Sequence, residues 1–326
     1  MGRPSRPAAG TNPMPNYKGV SPRSSSGRGD HIESLPDRYE RHAGPTTCLG
    51  RRVYLFSLRH TRTPHEPEEP HMPQSPAAIL ARMRSSSPSS PRLVWHGRDG
   101  RIELSGRVFD NWVAKSSNFL VDELDAEEAM DVAFDLPVHW KTLALAFACW
   151  QVGAVVVVAD AADHGAGADL STGAPADGGI VLSSTATDEP AGPRVLVCVA
   201  LGSLAFAWEG PLPRGAVDFA AEVRSHGDVF PDPVDDGEAP GRVLVRVGHR
   251  DLTAEDLLQE ITLPAPQEGA SDHGPGTLLV DPGAGLVRVL AAAYALWHVD
   301  GSLVLVEDGV PVTEGMLTGE RVTGRL

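Results

Sequence analysis

Residues 101–160 read RIELSGRVFDNWVAKSSNFLVDELDAEEAMDVAFDLPVHWKTLALAFACWQVGAVVVVAD, and this stretch decides the fold. Apolar residues recur at three-to-four-residue spacing through its first part, which predicts an amphipathic helix. Asp131–Leu136 then predicts a strand, and Thr142–Trp150 predicts a helix that is apolar on nearly all sides. Ala154–Ala159 is continuous and β-branched, as in a parallel strand buried on both faces. Strand, helix and strand in alternation indicate an α/β fold.

The flanking sequence extends this pattern in both directions. Pro76–Arg84 predicts a short helix, and two apolar runs around the His96–Gly100 turn predict a β-hairpin. Further strands are predicted at 179–182, 194–199, 242–247, near Leu278 and at 302–306, and further helices at Pro213–Ser225, Asp251–Leu258 and Gly285–His298. The predicted fold class is therefore α/β, with mostly parallel sheets flanked by helices.

Leu143–Ala159 forms an apolar run of 17 residues, close to the shortest length that crosses a bilayer. Gln151, Val152 and Gly153 interrupt this run, and its composition changes from Ala and Leu to Val at that point. A helix followed by a strand explains both features, so no membrane span is predicted.

The first 75 residues differ from the rest in composition. They are rich in Pro, Ser, Gly and Arg and have little to bury, which predicts a disordered tail over 1–75 before a folded domain over 76–326. Two interpretations of the tail are open, a basic tether or an inert extension. We favour the extension, including the possibility of a mis-assigned start with translation beginning at Met72 or Met83. A loose cluster of His60, His65, His71 and nearby glutamates lies among prolines, which keep it from presenting ligands on a fixed face.

Charge separates the tail from the domain. Residues 1–92 contain 14 of the 28 Lys and Arg but 7 of the 43 Asp and Glu, so residues 93–326 have 14 against 36, a net charge of −22. Such a domain repels nucleic acid and anionic membrane surfaces, and no nucleic-acid partner is expected. Cys48, Cys149 and Cys198 show no paired spacing, which favours reduced thiols and a cytoplasmic location.

Several segments of the domain resemble the N-terminal part of the adenylate-forming superfamily, which includes acyl-CoA synthetases and nonribosomal-peptide adenylation domains. They are Ile102–Leu104, Met130–Pro137 and Ala148–Val156, with a weaker likeness at Thr277–Asp308. The chain also resembles short actinobacterial proteins of unassigned function that retain only the front of this fold. The resemblance implies an α/β scaffold, and for an active member it implies ATP, Mg²⁺ and a carboxylic acid as ligands.

Catalysis in that superfamily needs a phosphate-binding loop with a lysine, an adenine motif and a second lysine in a C-terminal domain. The candidate loops Leu170–Pro175 and Ser183–Thr187 have hydroxyl groups but no cation, and acidic residues follow both. His249–Leu252 resembles the segment after the phosphate loop, which places acidic residues where that loop belongs. The chain has three lysines, Lys18, Lys115 and Lys141, and none follows Lys141. An Arg does not freely replace a lysine where a compact point charge is needed.

Other groups carry weaker signals. The acidic loop His226–Gly241, with Asp228, Asp232, Asp235 and Asp236, lacks EF-hand spacing and is interpreted as solvated. His298 with Asp300 could form an acid–base pair but has no nearby nucleophile, and Leu317–Arg321 is interpreted as a turn.

No catalytic, cofactor-binding or metal residue is therefore predicted, and no cofactor is expected. We predict a non-catalytic scaffold or binding module, with a protein partner or a small acyl or nucleotide ligand. The alternative is a divergent or partner-completed acyl-adenylate ligase that uses ATP and Mg²⁺.

Overall fold

The computed structural model describes residues 75–159, 179–185, 193–234, 241–263, 276–281 and 283–326. The predicted tail up to residue 74, Cys48 and the His60–His71 cluster lie outside the described residues. So do the candidate loop Leu170–Pro175 and the acidic residues Asp235 and Asp236.

The described elements follow one another mostly as strands separated by helices. The helices are α1 (Pro76–Ser85), α2 (Gly106–Leu124), α3 (Trp140–Val152), α4 (Phe219–Glu222), α5 (Ala254–Gln259), α6 (Leu286–His298) and α7 (Glu314–Gly319). The strands are β1 (Pro91–Gly97), β2 (Gly100–Ser105), β3 (Asp131–Asp135), β4 (Val155–Val158), β5 (Ile180–Ser183), β6 (Val195–Cys198), β7 (Val217–Asp218), β8 (Val243–Val247), β9 (Arg250–Thr253), β10 (Thr277–Val280), β11 (Ser302–Val306) and β12 (Val322–Arg325).

These strands form two sheets. One has five strands in the order β12-β10-β11-β1-β2, and the other has seven in the order β7-β6-β5-β3-β4-β8-β9. Within each sheet the central neighbours are parallel, and only the β1–β2 and β8–β9 hairpins are antiparallel. The predicted class of mostly parallel sheets flanked by helices is confirmed.

The core is built around α3, which is buried along its whole length and contacts both β1 and β4. The Phe147 ring on this helix lies 5.7 Å from Phe109, 4.7 Å from Trp150 and 5.0 Å from Trp297, measured between centroids. Burying each such ring contributes roughly 1.5–3 kcal/mol. A helix enclosed by two sheets must be apolar on every side, which explains the composition of 142–150.

Gly153 ends α3 in the left-handed conformation, with φ of 96°, as its position after the apolar run predicts. Its amide donates to the carbonyls of Cys149 and Trp150, and the chain then turns directly into β4. In the described residues no helix combines the length and apolar character needed to cross a bilayer.

Two local predictions are wrong in detail, and a third is right about the helix but missed the strand before it. The helix predicted over 213–225 is a two-residue strand, β7, followed by the short helix α4 and a single 3₁₀ turn. The helix predicted over Asp251–Leu258 is present as α5 and is capped by Thr253, as expected of a threonine before Glu255 and Asp256, while residues 250–253 pair with β8 as β9. Leu317 lies in α7 instead of a turn, on a helix whose first turn is capped by Thr313.

Candidate functional site

The seven-stranded sheet changes its winding direction beside β3. The chain passes from β3 through α3 to β4 on one side, whereas β5 lies on the other side of β3 and leads on to β6. In open α/β sheets, ligands bind outside the carboxyl ends of the strands at such a switch point. The carboxyl ends of β3, β5 and β6, with the loops around them, are therefore the candidate site, which we call the carboxyl edge.

A carboxylate and two hydroxyl groups meet where β3 and β5 end. Ser183 Oγ donates to Asp135 Oδ2 at 2.7 Å, and Thr185 Oγ1 donates to the same oxygen at 3.3 Å. The Thr185 amide in turn donates to Ser183 Oγ at 3.1 Å. These hydrogen bonds link β3 to β5 across the switch point, and the hydroxyls of Ser183 and Thr185 are already bound to the Asp135 carboxylate.

The start of α3 adds a neutral histidine. His139 is the N-cap of the helix, and its Nδ1 accepts the Lys141 amide at 3.1 Å. Burial, and then the positive charge of Lys141, lower the pKa of His139 to about 3. The imidazole packs edge-on against Trp95 with centroids 4.6 Å apart. A neutral ring that accepts at Nδ1 carries its hydrogen on Nε2.

Lys141 is the buried cation of the carboxyl edge and is 4% exposed. Its Nζ donates to the carbonyls of Ala200 at 2.6 Å and Gly202 at 2.8 Å, just after β6. Burial lowers the pKa of Lys141 to about 8, the charge of Arg224 acts in the same direction, and Asp99 opposes them. The ammonium therefore anchors a loop of this chain, and its hydrogen bonds go to protein carbonyls.

Asp99 connects the five-stranded sheet to the same loop. It lies in the turn between β1 and β2, and its Oδ2 accepts the Ser203 amide at 2.8 Å. The hydrogen bonds from Ser203 lower the pKa of Asp99. Loops from both sheets thus converge at the carboxyl edge, joined by charged side chains.

Of the two hydroxyl-rich candidate loops, the structure describes only residues 183–185 of the second, and residues 186 and 187 lie outside the described residues. Ser183 and Thr185 lie at the carboxyl edge, but they face Asp135. Arg246, on β8, donates to Asp131 at 2.7 Å and to Asp251 at 2.7 Å. Lys115, on α2, pairs with Asp228 at 2.7 Å and donates to the His226 carbonyl.

The remaining candidates take structural roles. His249–Leu252 spans the turn into β9, far from any hydroxyl-rich loop in sequence. Asp300 accepts from Arg82 at 3.2 Å and from Arg92 at 3.1 Å, which fastens the end of α6 to α1 and β1. Asp228 is bound to Lys115, as described above. In the described part of the chain no three His, Cys, Asp or Glu side chains group as metal ligands.

Sequence reasoning did not single out His139, Lys141 or Asp99. One signal was present, because a lysine at the start of an otherwise apolar helix is unusual and buried lysines need compensating partners. The partners of Lys141 lie 59 and 61 residues away in the chain, and no local pattern identifies them.

Solved structures similar to this fold include adenylate-forming enzymes. An acyl-CoA synthetase from Brucella canis matches with a TM-score of 0.55 and 16% identity over 76% of this chain. An artificially fused adenylation–PCP di-domain, NpsA-ThdA, from Klebsiella oxytoca matches with a TM-score of 0.54 and 13% identity over 77%. The N-terminal domain of FACL13 from Mycobacterium tuberculosis matches with a TM-score of 0.51 and 14% identity over 77%. The chain spans 46%, 44% and 62% of these three structures, respectively.

The chain therefore has the fold of the adenylate-forming superfamily, which confirms the resemblance found in the sequence. No model of a protein family matches the sequence. A "TIGR03089 family protein" from Mycobacterium tuberculosis is 35% identical over 233 residues, which covers 68% of this chain and 88% of that protein. The chain belongs to the TIGR03089 family.

Proposed function

We propose that this protein is a non-catalytic scaffold or binding module built on the adenylate-forming fold, with a protein partner or a small acyl or nucleotide ligand. One observation carries the proposal. Both lysines in the described residues are committed to internal contacts, Lys115 to Asp228 and Lys141 to two loop carbonyls. Lys18 lies in the N-terminal tail, and residues 142–326 contain no lysine.

The charges around the carboxyl edge support the same proposal. Activation of a carboxylate by ATP needs free cations and backbone donors around the phosphates. Here the hydroxyls of Ser183 and Thr185 are bound to the Asp135 carboxylate, and a triphosphate approaching them would meet a negative charge. Arg246 cannot take the place of a phosphate-loop lysine while it holds Asp131 and Asp251.

The proposal includes the organisation of the chain and its location. We assign the folded domain to residues 76–326 and a tail to residues 1–75, and an intact mass of the native protein tests whether that tail is translated. We also assign the protein to the cytoplasm, which suits the buried, unpaired thiols of Cys149 and Cys198.

Nucleotide binding is the first test. Thermal unfolding and isothermal titration of the full chain with ATP and Mg²⁺ are compared with Mg²⁺ and tripolyphosphate at the same concentration. A ligand at a hundred times its Kd stabilises a protein by about 2.7 kcal/mol, which is readily measured. We expect equal, small effects from ATP and tripolyphosphate for a protein scaffold. Stabilisation specific to ATP would identify a nucleotide-binding module.

Pyrophosphate exchange distinguishes an enzyme from a protein scaffold or a nucleotide-binding module. The full chain is incubated with ATP, Mg²⁺, labelled pyrophosphate and each member of a panel of carboxylic acids, beside an active acyl-CoA synthetase as positive control. Exchange at the level of a blank without protein is the expected result. Exchange above that level with any acid would overturn the proposal and favour the divergent ligase instead.

A further inference from the structure

The indole N–H of Trp140, the first residue of α3, has no hydrogen-bond partner in the described part of the chain, although this side chain is only 2% exposed. A buried tryptophan N–H ordinarily finds an acceptor, and two other buried tryptophans of this chain do so. Trp150 Nε1 donates to the Leu244 carbonyl at 2.8 Å, and Trp297 Nε1 donates to the Arg92 carbonyl at 3.1 Å. The unpaired donor of Trp140 therefore indicates an acceptor that the described residues do not supply.

A second free donor lies beside the indole. His139 is 5% exposed, and its neutral imidazole carries a hydrogen on Nε2 because Nδ1 accepts the Lys141 amide. Nε2 itself has no partner among the described residues. The rings of His139 and Trp140 lie 5.6 Å apart between centroids, so both donors belong to one small region at the N-terminus of α3. The partial positive charge of a helix N-terminus favours an oxygen acceptor in this region.

Aromatic rings enclose the two donors. Trp95, on β1, meets the His139 ring edge-on at 4.6 Å, and Trp112, on α2, meets the Trp140 ring edge-on at 5.1 Å, measured between centroids. We call the region lined by Trp95, Trp112, His139 and Trp140 the aromatic niche. Trp112 is half-buried, so the niche borders solvent at this ring. Walls of this kind favour a ligand with a flat or apolar part.

The charges beside the aromatic niche are already engaged. Lys141 Nζ lies 5.5 Å from the centroid of the Trp140 ring, but it donates to the carbonyls of Ala200 and Gly202. Asp99 accepts a backbone amide of the same loop. A carboxylate buried here would have no free counter-charge, and burying an unpaired charge is costly. Neutral N–H donors without a free cation therefore favour a neutral carbonyl oxygen as the acceptor.

We propose that the aromatic niche binds a small neutral acyl compound, an amide or an ester. Its carbonyl oxygen accepts hydrogen bonds from Trp140 Nε1 and His139 Nε2, and its apolar part packs against Trp112. This inference rests on the proposed function and deepens it, because it selects an acyl ligand over a nucleotide and gives that ligand as a neutral derivative. The two fail separately. Pyrophosphate exchange would overturn the proposed function, whereas failure to bind an amide leaves a scaffold with a protein partner in place.

The test is a titration of the full chain, carrying isotope-labelled tryptophan, followed by NMR of its six indole N–H groups. Benzamide is the probe, because it joins a neutral carbonyl to a flat apolar ring. Its concentration is raised to about 20 mM, which detects the millimolar Kd expected of so small a ligand. We expect the indole proton of Trp140 to move downfield as its hydrogen bond forms, and the Trp112 signal to change with it. Benzoate has the same ring with a carboxylate and is expected to bind at least tenfold more weakly.

Variants separate the two donors from general effects on the fold, with the Trp112 signal as the readout. Trp140→Phe and His139→Ser are each expected to raise the Kd for benzamide about fivefold, the effect of one neutral hydrogen bond. Serine retains an N-cap oxygen for α3. Trp150→Phe is the matched control on the same helix, because that indole already has a partner, and Trp208→Phe is a second control outside α3. Both controls are expected to leave the Kd within about twofold, and circular dichroism checks that each variant is folded.

Three results would overturn the proposal. The first is an indole signal of Trp140 that stays unchanged at the highest benzamide concentration, or effects of Trp140→Phe and His139→Ser no larger than those of the folded controls. The second is benzoate that binds as tightly as benzamide, because the niche would then accept a charge. The third is tighter binding of N-acetylphenylalaninamide than of benzamide, which would assign the carbonyl to a peptide partner instead of a small ligand.

Discussion

The buried ammonium of Lys141 predicts an unusual dependence of stability on pH. The ordinary lysine pKa of 10.5 applies to the unfolded chain, whereas burial lowers the pKa of Lys141 in the native protein to about 8. Between these values the unfolded chain binds more protons than the native one, so the free energy of unfolding rises with pH. Below pH 8 the cost of burying the charge is present in full.

The size of the effect follows from the same two values. A drop from 10.5 to about 8, at about 1.4 kcal/mol for each pH unit, corresponds to about 3.5 kcal/mol. Relaxation of the protein and water around the buried ammonium reduces the expected gain to about 1–2 kcal/mol between pH 8 and 10.5. Among its neighbours, Asp99 and His139 have lowered pKa values and do not titrate in this range.

Urea unfolding of the wild type, Lys141→Met and Lys141→Arg from pH 7.5 to 10.5 measures this gain. Met removes the charge and leaves the carbonyls of Ala200 and Gly202 without their donor, which costs roughly 1–3 kcal/mol before the pH-dependent gain of the wild type is added. Arg keeps a positive charge throughout the range. Neither variant is expected to show a rise in the free energy of unfolding with pH. The difference in this free energy between the wild type and each variant should therefore increase with pH. Differences that stay constant across the range would refute the assignment of a buried, titrating Lys141.

Three other changes test contacts elsewhere in the fold. Arg246→Met leaves the Asp131 carboxylate, whose side chain is 6% exposed, without its partner, so urea titration should show a loss of about 2–4 kcal/mol that adding Asp131→Asn largely restores. Gly153→Ala puts a Cβ 3.0 Å from neighbouring side chains at a φ of 96° and should lower the free energy of unfolding by about 1–3 kcal/mol. In the control Gly319→Ala the new Cβ meets nothing within 4 Å, so this variant should be near neutral, and equal effects of the two changes would contradict the reasoning. Burial raises the pKa of the Cys149 thiol, so iodoacetamide should modify it only after unfolding, as mapped by mass spectrometry, and labelling of the native chain would argue against its burial.

Much of the fold was predictable because periodicity reports burial directly. The run over 142–150 is apolar on all sides because α3 lies between two sheets, and Gly153 ends that helix because its backbone requires a positive φ. The errors occurred where tertiary contacts override local preference. Residues 217–218 pair with β6 and so form a strand, and residues 250–253 pair with β8 as a strand that the sequence did not predict.

The sequence predicted only which groups the candidate site lacks, namely a phosphate-binding loop with a lysine. Counting lysines and reading the acidic residues around each hydroxyl-rich segment needed no coordinates, and both led to the hypothesis of a non-catalytic module. The groups that occupy the carboxyl edge could not be found in this way. Asp135 and Ser183 are 48 residues apart, and Lys141 and Ala200 are 59 apart. Hydrogen bonds between such positions leave no periodic pattern in a single sequence.

The amino-acid sequence by itself determined the α/β class and the alternation of helices and strands, because both depend on the local spacing of apolar residues. Its segments Ile102–Leu104, Met130–Pro137 and Ala148–Val156 carried the resemblance to adenylate-forming enzymes. Only the tertiary structure decided that the strands divide into two sheets and that β3 lies at a switch point. It also decided that Lys141, Asp99 and Arg224 hold one loop with Leu204 and Phe206 facing solvent. The physical reason is that strand order and side-chain partners are set by packing between distant segments, and local patterns do not encode which segments meet.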